Sequence, residues 1–481
     1  MPTLRRLLLV LIATSSLAAL GGPGDALASR GQVDYFEGSY ALLNHSLRPR
    51  AIAQLQHLGV SALRIELHWA DVAPRAGSAA KPAGDLTNPA SYAWGEYDAL
   101  VGEAQRLHWR ILLTITSPVP RWATSNHKAP YVTRPSQKDF QEFMTAVGRH
   151  YGPLVTYSIW NEPNHPAFLM PQWTSKGALA SPRIYRGLYQ AGYTGLQAAG
   201  IAHPTVLFGE TAPVGYGTVN VRREGSRALV HPVAPLAFLR SALCLNPHYR
   251  KSGSCGALAM SGFAHHAYTN AAGPHYRPPE ADNVTIGVLS RLSRALDLSA
   301  RAHAIPARVP IYLTEFGVQS FPNRQLGVSA SKQAELDAIA EHIAYSNPRV
   351  AAFSQYLLRD DPLGGKSGSS VHGGTVGFQT GLEYANGKPK PLYLSWPVPL
   401  TVSRRHGGYS LWGLIRPTTG PTKLSVLVRS KSSKRYRTLK TLRTDSHGYW
   451  SLNSSTPGAL WRVRWTSPSG AKYEGPPISA Y

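Results

Sequence analysis

One strand–helix–strand repeat decides the fold. The apolar, β-branched run RILLTITSP (110–118) is typical of a buried strand, and it is followed by the amphipathic segment PSQKDFQEFMTAVGRHYG (135–152) and a second strand-like run, VTYSIWNEP (155–163). Four apolar side chains of the middle segment recur at helical spacing: Phe140, Phe143, Met144 and Val147. A strand, a helix and a strand in this order predict two parallel strands joined by a crossover helix.

The same alternation continues from Val33 to about Trp396 and gives eight strand–helix units. Eight units favour a closed (β/α)₈ barrel, a TIM barrel of the α/β class, whose site lies at the carboxyl ends of the strands. A doubly wound open sheet is the alternative. Such a sheet usually has a glycine-rich turn after its first strand, and the segment EGSYALL (37–43) is not one.

The pattern changes near residue 398. Helical periodicity ends, and short alternating runs such as SLWGLI, KLSVLVRS and LWRVRWT are separated by turn residues. This favours a small antiparallel β-sandwich. We therefore divide the chain into a barrel at 29–397 and a sandwich at 398–481.

The first 28 residues have the composition of a secretory signal peptide. Arg5 and Arg6 precede an apolar run, and Ala26-Leu27-Ala28 fits a cleavage site before Ser29. A membrane anchor is the alternative, although the run is shorter than the roughly 20 residues that a span needs. We expect a secreted, extracellular protein, either free or associated with the cell wall.

Export permits disulfides, and the chain has two cysteines. Cys244 and Cys255 flank the loop LNPHYRKSGS, so we expect them to form one disulfide.

The positive charge is concentrated at the C-terminus. After residue 398 there are 14 lysines and arginines against 2 acidic residues, a net +12 out of +24 for the whole chain. Such a field attracts anionic surfaces. For an exported protein we expect an anionic cell-wall polymer or an acidic glycan as partner, and no nucleic acid. The alternative is that the charge only keeps the protein soluble.

Polar side chains at the predicted strand ends are the candidates for chemistry. Glu162 and Glu315 each end an apolar strand, where burial is costly unless the carboxylate has a partner or a task. Two carboxylates facing one pocket suit glycoside cleavage, in which one donates a proton and the other attacks the anomeric carbon. Arg64, on the second strand, would keep one of them ionised. Glu210, at the end of the fifth strand, is interpreted instead as a solvated loop acid.

The motifs WNEP (160–163) and TEFG (314–317) resemble the two signatures of glycoside hydrolase clan A, the retaining barrel glycosidases, and most of all families 5 and 39. The segments LRIELHWADVAP and HAY (266–268) resemble further parts of the family in the expected order, so the resemblance spans nearly all of residues 33–396. It implies an acid/base, Glu162, and a nucleophile, Glu315. It also implies substrate-binding or supporting residues, namely Arg64, Trp69, Trp122, Asn161, His266 and Tyr268.

Within that resemblance, Asn161 would bind the sugar 2-hydroxyl, Tyr268 would bind the nucleophile, and Trp69 and Trp122 would stack on sugars. Many clan members end strand eight with a tryptophan, and FSQYLLRDD (353–361) has none. Tyr356 is a candidate replacement, or Arg359, Asp360 and Asp361 would make that subsite polar. We expect no metal, since His265 and His266 lack a third ligand at suitable spacing, and no cofactor.

The sequence thus predicts an exported retaining β-glycosidase that hydrolyses the O-glycosidic bonds of a poly- or oligosaccharide. The alternative is a non-catalytic cell-wall glycan-binding protein on the same barrel.

Overall fold

The computed structural model describes residues 29–362 and 377–481, and it confirms the predicted fold. Eight parallel strands form a closed barrel in sequence order: β1 (Val33–Glu37), β2 (Ala62–His68), β3 (Arg110–Thr116), β4 (Thr156–Ile159), β5 (Val206–Thr211), β6 (Gly262–His266), β7 (Ile311–Phe316) and β8 (Val350–Tyr356). The signal-peptide prediction concerns residues 1–28, which lie outside the described residues.

Parallel pairing aligns the carboxyl ends of the strands. Ala62 pairs with Arg110 at one end of β2, and His68 pairs with Thr116 at the other. Pairing of β8 with β1 closes the barrel, with Glu37 opposite Tyr356. The polar residues at the strand ends therefore meet at one mouth of the barrel.

The helices cover the outside of the barrel. They are α1 (Ser39–Leu42), α2 (Arg48–His57), α3 (Trp69–Val72), α4 (Gly95–Arg106), α5 (Gln137–Tyr151), α6 (Ser181–Ala198), α7 (Val221–Glu224), α8 (Pro235–Ala242), α9 (Leu289–Arg301), α10 (Ala330–Tyr345) and α11 (Pro391–Ser395). Helix α5 begins at a capped end, where the Ser136 hydroxyl accepts from the backbone N–H of Asp139. Helices α5 and α6 lie so close that a Cβ at Gly195 would come within 2.6 Å of the Gln141 carbonyl oxygen.

The C-terminal part is the predicted sandwich of two antiparallel sheets. Its strands are β9 (Leu400–Arg405), β10 (Gly408–Leu414), β11 (Lys423–Arg429), β12 (Arg437–Arg443), β13 (Tyr449–Ser454), β14 (Leu460–Thr466) and β15 (Lys472–Glu474). One sheet has the order β13-β10-β9 and the other β12-β11-β14-β15. Val402, Trp461 and Trp465 fill the core between them.

The sandwich is anchored to the barrel by a buried arginine. The Arg416 guanidinium lies over the Trp396 ring at 3.9 Å from its centroid, donates to Glu341 at 2.8 Å and also binds Asp34. Its side chain is only 4% exposed. Beside it, Tyr345 of α10 packs against Tyr449 of β13, with the ring centroids 4.4 Å apart.

The predicted disulfide is present, with the Cα atoms of Cys244 and Cys255 5.9 Å apart. Across residues 29–362 and 377–481, no helix combines the length and the apolar character that a membrane span requires.

Candidate active site

A cavity of about 940 Å³ opens at the carboxyl ends of the barrel strands. Both predicted catalytic carboxylates line it, Glu162 from the end of β4 and Glu315 from β7. Apolar side chains form much of its wall: Pro118, Val132, Phe168, Val214, Tyr276, Leu326 and Phe378. A cavity of this size and composition suits a small organic ligand.

The WNEP segment is a backbone turn that aims Glu162 into the cavity. Trp160 and Glu162 have positive φ angles of 74° and 36°, which are unusual for residues other than glycine. Hydrogen bonds hold the turn: the N–H of Trp160 donates to the Ile115 carbonyl, and that of Glu162 to the Glu210 carbonyl. Strain of this kind persists only where the surroundings enforce it, and it is common at functional sites.

The two catalytic candidates lie close together. An oxygen of Glu162, a nitrogen of His266 and an oxygen of Glu315 all lie within 4.8 Å of one another. His266 Nδ1 is 2.9 Å from Glu162 Oε1 and 3.4 Å from Glu315 Oε2. This spacing resembles the short carboxyl separation of retaining glycosidases more than the wider separation that leaves room for a water in inverting ones.

Glu315 is held by one cation and one hydroxyl. Arg64 Nη1 lies 2.9 Å from its Oε1, and the Tyr268 hydroxyl donates to its Oε2 at 3.0 Å. Burial raises the pKa of Glu315 to about 7, while the charges of His266 and Arg64 act in the opposite direction.

The Arg64 side chain is fully buried and is surrounded by carboxylates. Besides Glu315, it binds Glu37, Glu66 and Glu210, and its Nη2 also donates to Asn161 Oδ1 at 2.9 Å. Burial favours the neutral form of Glu210, but Arg64 and His266 together outweigh it and lower the pKa of Glu210 to about 2. Glu210 is completely buried. Its reading as a solvated loop acid is therefore wrong.

The two adjacent histidines of β6 differ in charge. Burial acts to lower the pKa of His266, yet Glu315, Glu162 and Glu210 together raise it to about 10, so the ring is an imidazolium at neutral pH. Burial lowers the pKa of His265 to about 4, and its ring lies between the Thr211 hydroxyl and the Val284 carbonyl.

The structure places the predicted substrate-binding residues in three different environments. Asn161 and Tyr268 line the cavity. Arg64 and His266 have fully buried side chains and lie behind the carboxylates, so they contact Glu162 and Glu315 instead of the cavity.

The third environment corrects the prediction for the two tryptophans. Trp69 is completely buried and stacks on Phe143 at 5.1 Å, and Trp122 packs edge-on against Trp69. Neither lines the cavity, because both belong to an aromatic cluster between the barrel and α5. They are core residues, not sugar platforms.

Tyr356 at the end of β8 and Asp361 in the segment after it line the cavity, whereas the other polar residues of this segment are engaged elsewhere. Arg359 pairs with Glu383, and Asp360 accepts from the buried Lys390 at 2.7 Å. Of the three polar residues predicted to form a subsite here, only Asp361 lines the cavity, beside Tyr356.

Solved structures share this architecture. A family 39 glycoside hydrolase from the gut symbiont Bacteroides cellulosilyticus WH2 matches with a TM-score of 0.50 at 14% identity, over 89% of this chain and 80% of that one. Two β-xylosidase structures from Caulobacter crescentus match at 15% and 14% identity with TM-scores of 0.48 and 0.49, over 85% and 96% of this chain and 84% and 95% of theirs. No protein-family model and no curated protein matches the chain. The first match shows a shared fold.

Proposed function

We propose that the protein is a retaining β-glycosidase that hydrolyses O-glycosidic bonds in a poly- or oligosaccharide by double displacement. The observation that carries this proposal is that one carboxylate oxygen of Glu162 and one of Glu315 lie within 4.8 Å of each other in one barrel-mouth cavity. Two carboxylates at short separation are what retention requires.

Glu315 is the nucleophile of the proposed reaction. Arg64 and the Tyr268 hydroxyl contact its two oxygens and stabilise the ionised form that attacks the anomeric carbon. The leaving oxygen departs with the proton of Glu162, which then acts as general base on the water that releases the sugar from Glu315. Asn161 lines the cavity next to Glu162, and we assign it to bind the sugar 2-hydroxyl.

Two alanine variants test these roles on an aryl β-glycoside whose leaving group needs no proton. Glu162→Ala should still form the glycosyl-enzyme, and azide should restore its turnover with retained configuration. Glu315→Ala should lose turnover, and azide should yield the inverted glycosyl azide. If azide gives retained product with Glu315→Ala instead, the two roles are reversed.

A glycan-binding protein without catalysis is the competing function. It predicts carbohydrate binding but no product from any member of a panel of aryl β-glycosides and polysaccharides. Hydrolysis that is lost in both alanine variants would exclude it.

We further propose that the protein is exported and that its sandwich binds an anionic cell-wall polymer or acidic glycan. Lys423 and Arg443 are exposed partners on adjacent strands, and Arg464 is exposed on the neighbouring strand β14. The basic side chains of this sheet outnumber its acidic one, Glu474, which supports attraction to polyanions.

A charge-reversed variant, Lys423→Glu/Arg443→Glu, tests that partner without removing the domain. Pull-down on anionic wall material should weaken for this variant and should also weaken for the wild type between about 0.05 and 0.5 M salt. The matched control reverses two exposed charges of the barrel, Lys138→Glu/Arg301→Glu. Equal retention of all three proteins at both salt concentrations would refute the partner.

A further inference from the structure

The cavity is acidic although the protein as a whole is strongly basic. Five carboxylates line it: Glu37, Glu66, Glu162, Glu315 and Asp361. Among the lining residues that the structure describes, there is no lysine or arginine. One oxygen from each of Glu37, Glu66 and Glu315 lies within 4.8 Å of the other two, at the floor of the cavity. Arg64 and the His266 imidazolium offset part of the charge of these carboxylates.

Arg64, the guanidinium beneath this floor, has no donor left for a ligand. Arginine has five N–H donors. Nη1 faces Glu37 and Glu315, Nη2 faces Glu66, Asn161 and Glu210, and Nε faces Glu210 at 3.5 Å. Its side chain is also completely buried. It therefore neutralises part of the floor but is not available to a substrate carboxylate.

The two histidines that line the cavity are committed as well. Burial acts to lower the pKa of His68, but Asp71, at 3.2 Å from Nδ1, and Glu66, at 3.7 Å from Nε2, raise it to about 10, so His68 is an imidazolium paired with these two carboxylates. His165 Nδ1 accepts the backbone N–H of Ala167 at 3.2 Å, and a ring nitrogen that accepts a hydrogen bond carries no proton. Neither imidazole offers the bidentate cationic contact with which proteins usually bind a carboxylate.

From this lining we infer that the sugar bound next to Glu315 carries no acidic group, and that Glu66 is a specificity-determining residue that rejects uronates. Carboxylates accept hydrogen bonds from sugar hydroxyls, whereas a substrate carboxylate would face like charges whose neighbouring cations are already paired. The inference rests on the proposed glycosidase function and adds its substrate class, an uncharged glycone.

The test compares aryl β-glycosides that differ only at C6. The pairs are 4-nitrophenyl β-glucoside with β-glucuronide and β-galactoside with β-galacturonide, and the xyloside serves as a third neutral substrate. We expect kcat/KM for the neutral member to exceed that for the uronide by at least about a hundredfold. A uronide that is cleaved as fast as its neutral partner would overturn the inference.

Glu66→Gln removes one charge from the floor but preserves the shape of the side chain. We expect the neutral-to-uronide ratio to fall by about tenfold in this variant, because one like-charge contact is lost. Glu103→Gln, on the exposed side of α4, is the matched control and should leave both rates unchanged. Since both substrates are measured on the same enzyme, a loss of folded protein cannot change the ratio. An unchanged neutral-to-uronide ratio in Glu66→Gln would contradict the role of Glu66 in specificity.

The outcomes separate this inference from the function on which it rests. If uronides are hydrolysed as fast as their neutral partners and this depends on Glu162 and Glu315, the glycosidase function stands and the inference of an uncharged glycone is wrong. No hydrolysis of any glycoside in the panel would overturn both.

Discussion

A backbone hydrogen bond connects Glu210 to Glu162, and the side chain of Glu210 is linked through Arg64 to Glu315. The Glu210 carbonyl accepts the N–H of Glu162 at 3.0 Å, while its Oε2 accepts from Arg64 Nη2 at 2.5 Å. Arg64 in turn contacts Glu315 at 2.9 Å. One residue thus positions the acid/base through its main chain and the nucleophile through its ion pair.

The substitution Glu210→Gln should lower kcat at least about tenfold with little change in KM. The glutamine keeps the backbone contact to Glu162 but removes the charge that helps to hold Arg64 and His266. Because Glu210 is among the groups that raise the pKa of His266, this imidazolium should also lose its proton at a lower pH than in the wild type. The measurement is the pH dependence of kcat together with the melting temperature.

Glu224→Gln is the matched control for this variant, since Glu224 also pairs with a histidine, His231, but outside the cavity. Its kinetics should equal those of the wild type. A Glu210→Gln enzyme with wild-type kcat and an unshifted pH profile would contradict the positioning role.

The pH profile should report ionisation of Glu315. Burial raises the pKa of this carboxyl to about 7, and only the ionised form attacks the anomeric carbon. For an aryl glycoside that needs no proton donation, kcat/KM should therefore rise with pH through about 7. Glu66→Gln should move this limb to lower pH, because Glu66 is one of the charges that raise the pKa of Glu315. A limb near the ordinary glutamate value of about 4.3 in both enzymes would contradict this expectation.

The variant Arg416→Met should destabilise the whole protein by about 3–5 kcal/mol, because it leaves Asp34 and Glu341 buried without their cation. The double variant Arg416→Met/Glu341→Gln should recover part of the loss. For the same reason, truncation after residue 397 should yield an insoluble barrel. Urea unfolding monitored by circular dichroism provides the measurement. A soluble truncated barrel of unchanged stability would contradict an integral interface.

A neighbouring carboxyl should make stability depend on pH. Burial, reinforced by Glu341, raises the pKa of Asp337 to about 8, while Arg416 acts against this. The folded state therefore holds a proton that the unfolded state releases, so the stabilisation present below about pH 4 is lost as pH rises through about 8. Asp337→Asn should flatten this dependence and raise the melting temperature at pH 8 by a few degrees. Asp297→Asn, at an exposed ion pair, is the control. Equal melting temperatures of the wild type and Asp337→Asn at pH 8 would refute the idea.

The barrel and the two glutamate motifs were predictable because their signals are local. Eight apolar runs alternate with amphipathic ones, and a carboxylate that ends an apolar strand needs a task. Alternation along β2 also contains information that distinguishes Trp69 from Arg64. Because successive side chains of a strand point to opposite faces, Arg64 is expected on the same face as Ala62, which lies in the barrel interior. Trp69 is expected on the other face, with Ile65 and Leu67 in the core beneath the helices.

Glu210 could not be placed in this way. Simple alternation would put Glu210 on the same face of β5 as Phe208, which packs in the core beneath the helices. A bulge between Gly209 and Thr211 and a φ of 51° at Glu210 turn its side chain to the barrel interior instead. Glu315 likewise follows a register shift in β7 and was recognised by its motif, not by its parity. Bulges of this kind re-aim side chains near active sites, and a single sequence gives no local sign of them.

Because Arg416 is buried against Trp396, the two domains should not be exchangeable separately in protein engineering. A fusion that carried residues 398–481 to another catalytic domain would transplant a dehydrated guanidinium without Asp34 and Glu341. Conversely, this barrel would accept a foreign appendage only if that appendage supplied a cation at the same point. Shuffling at the 397/398 junction should therefore fail, unlike the exchange of modules that are joined by free linkers.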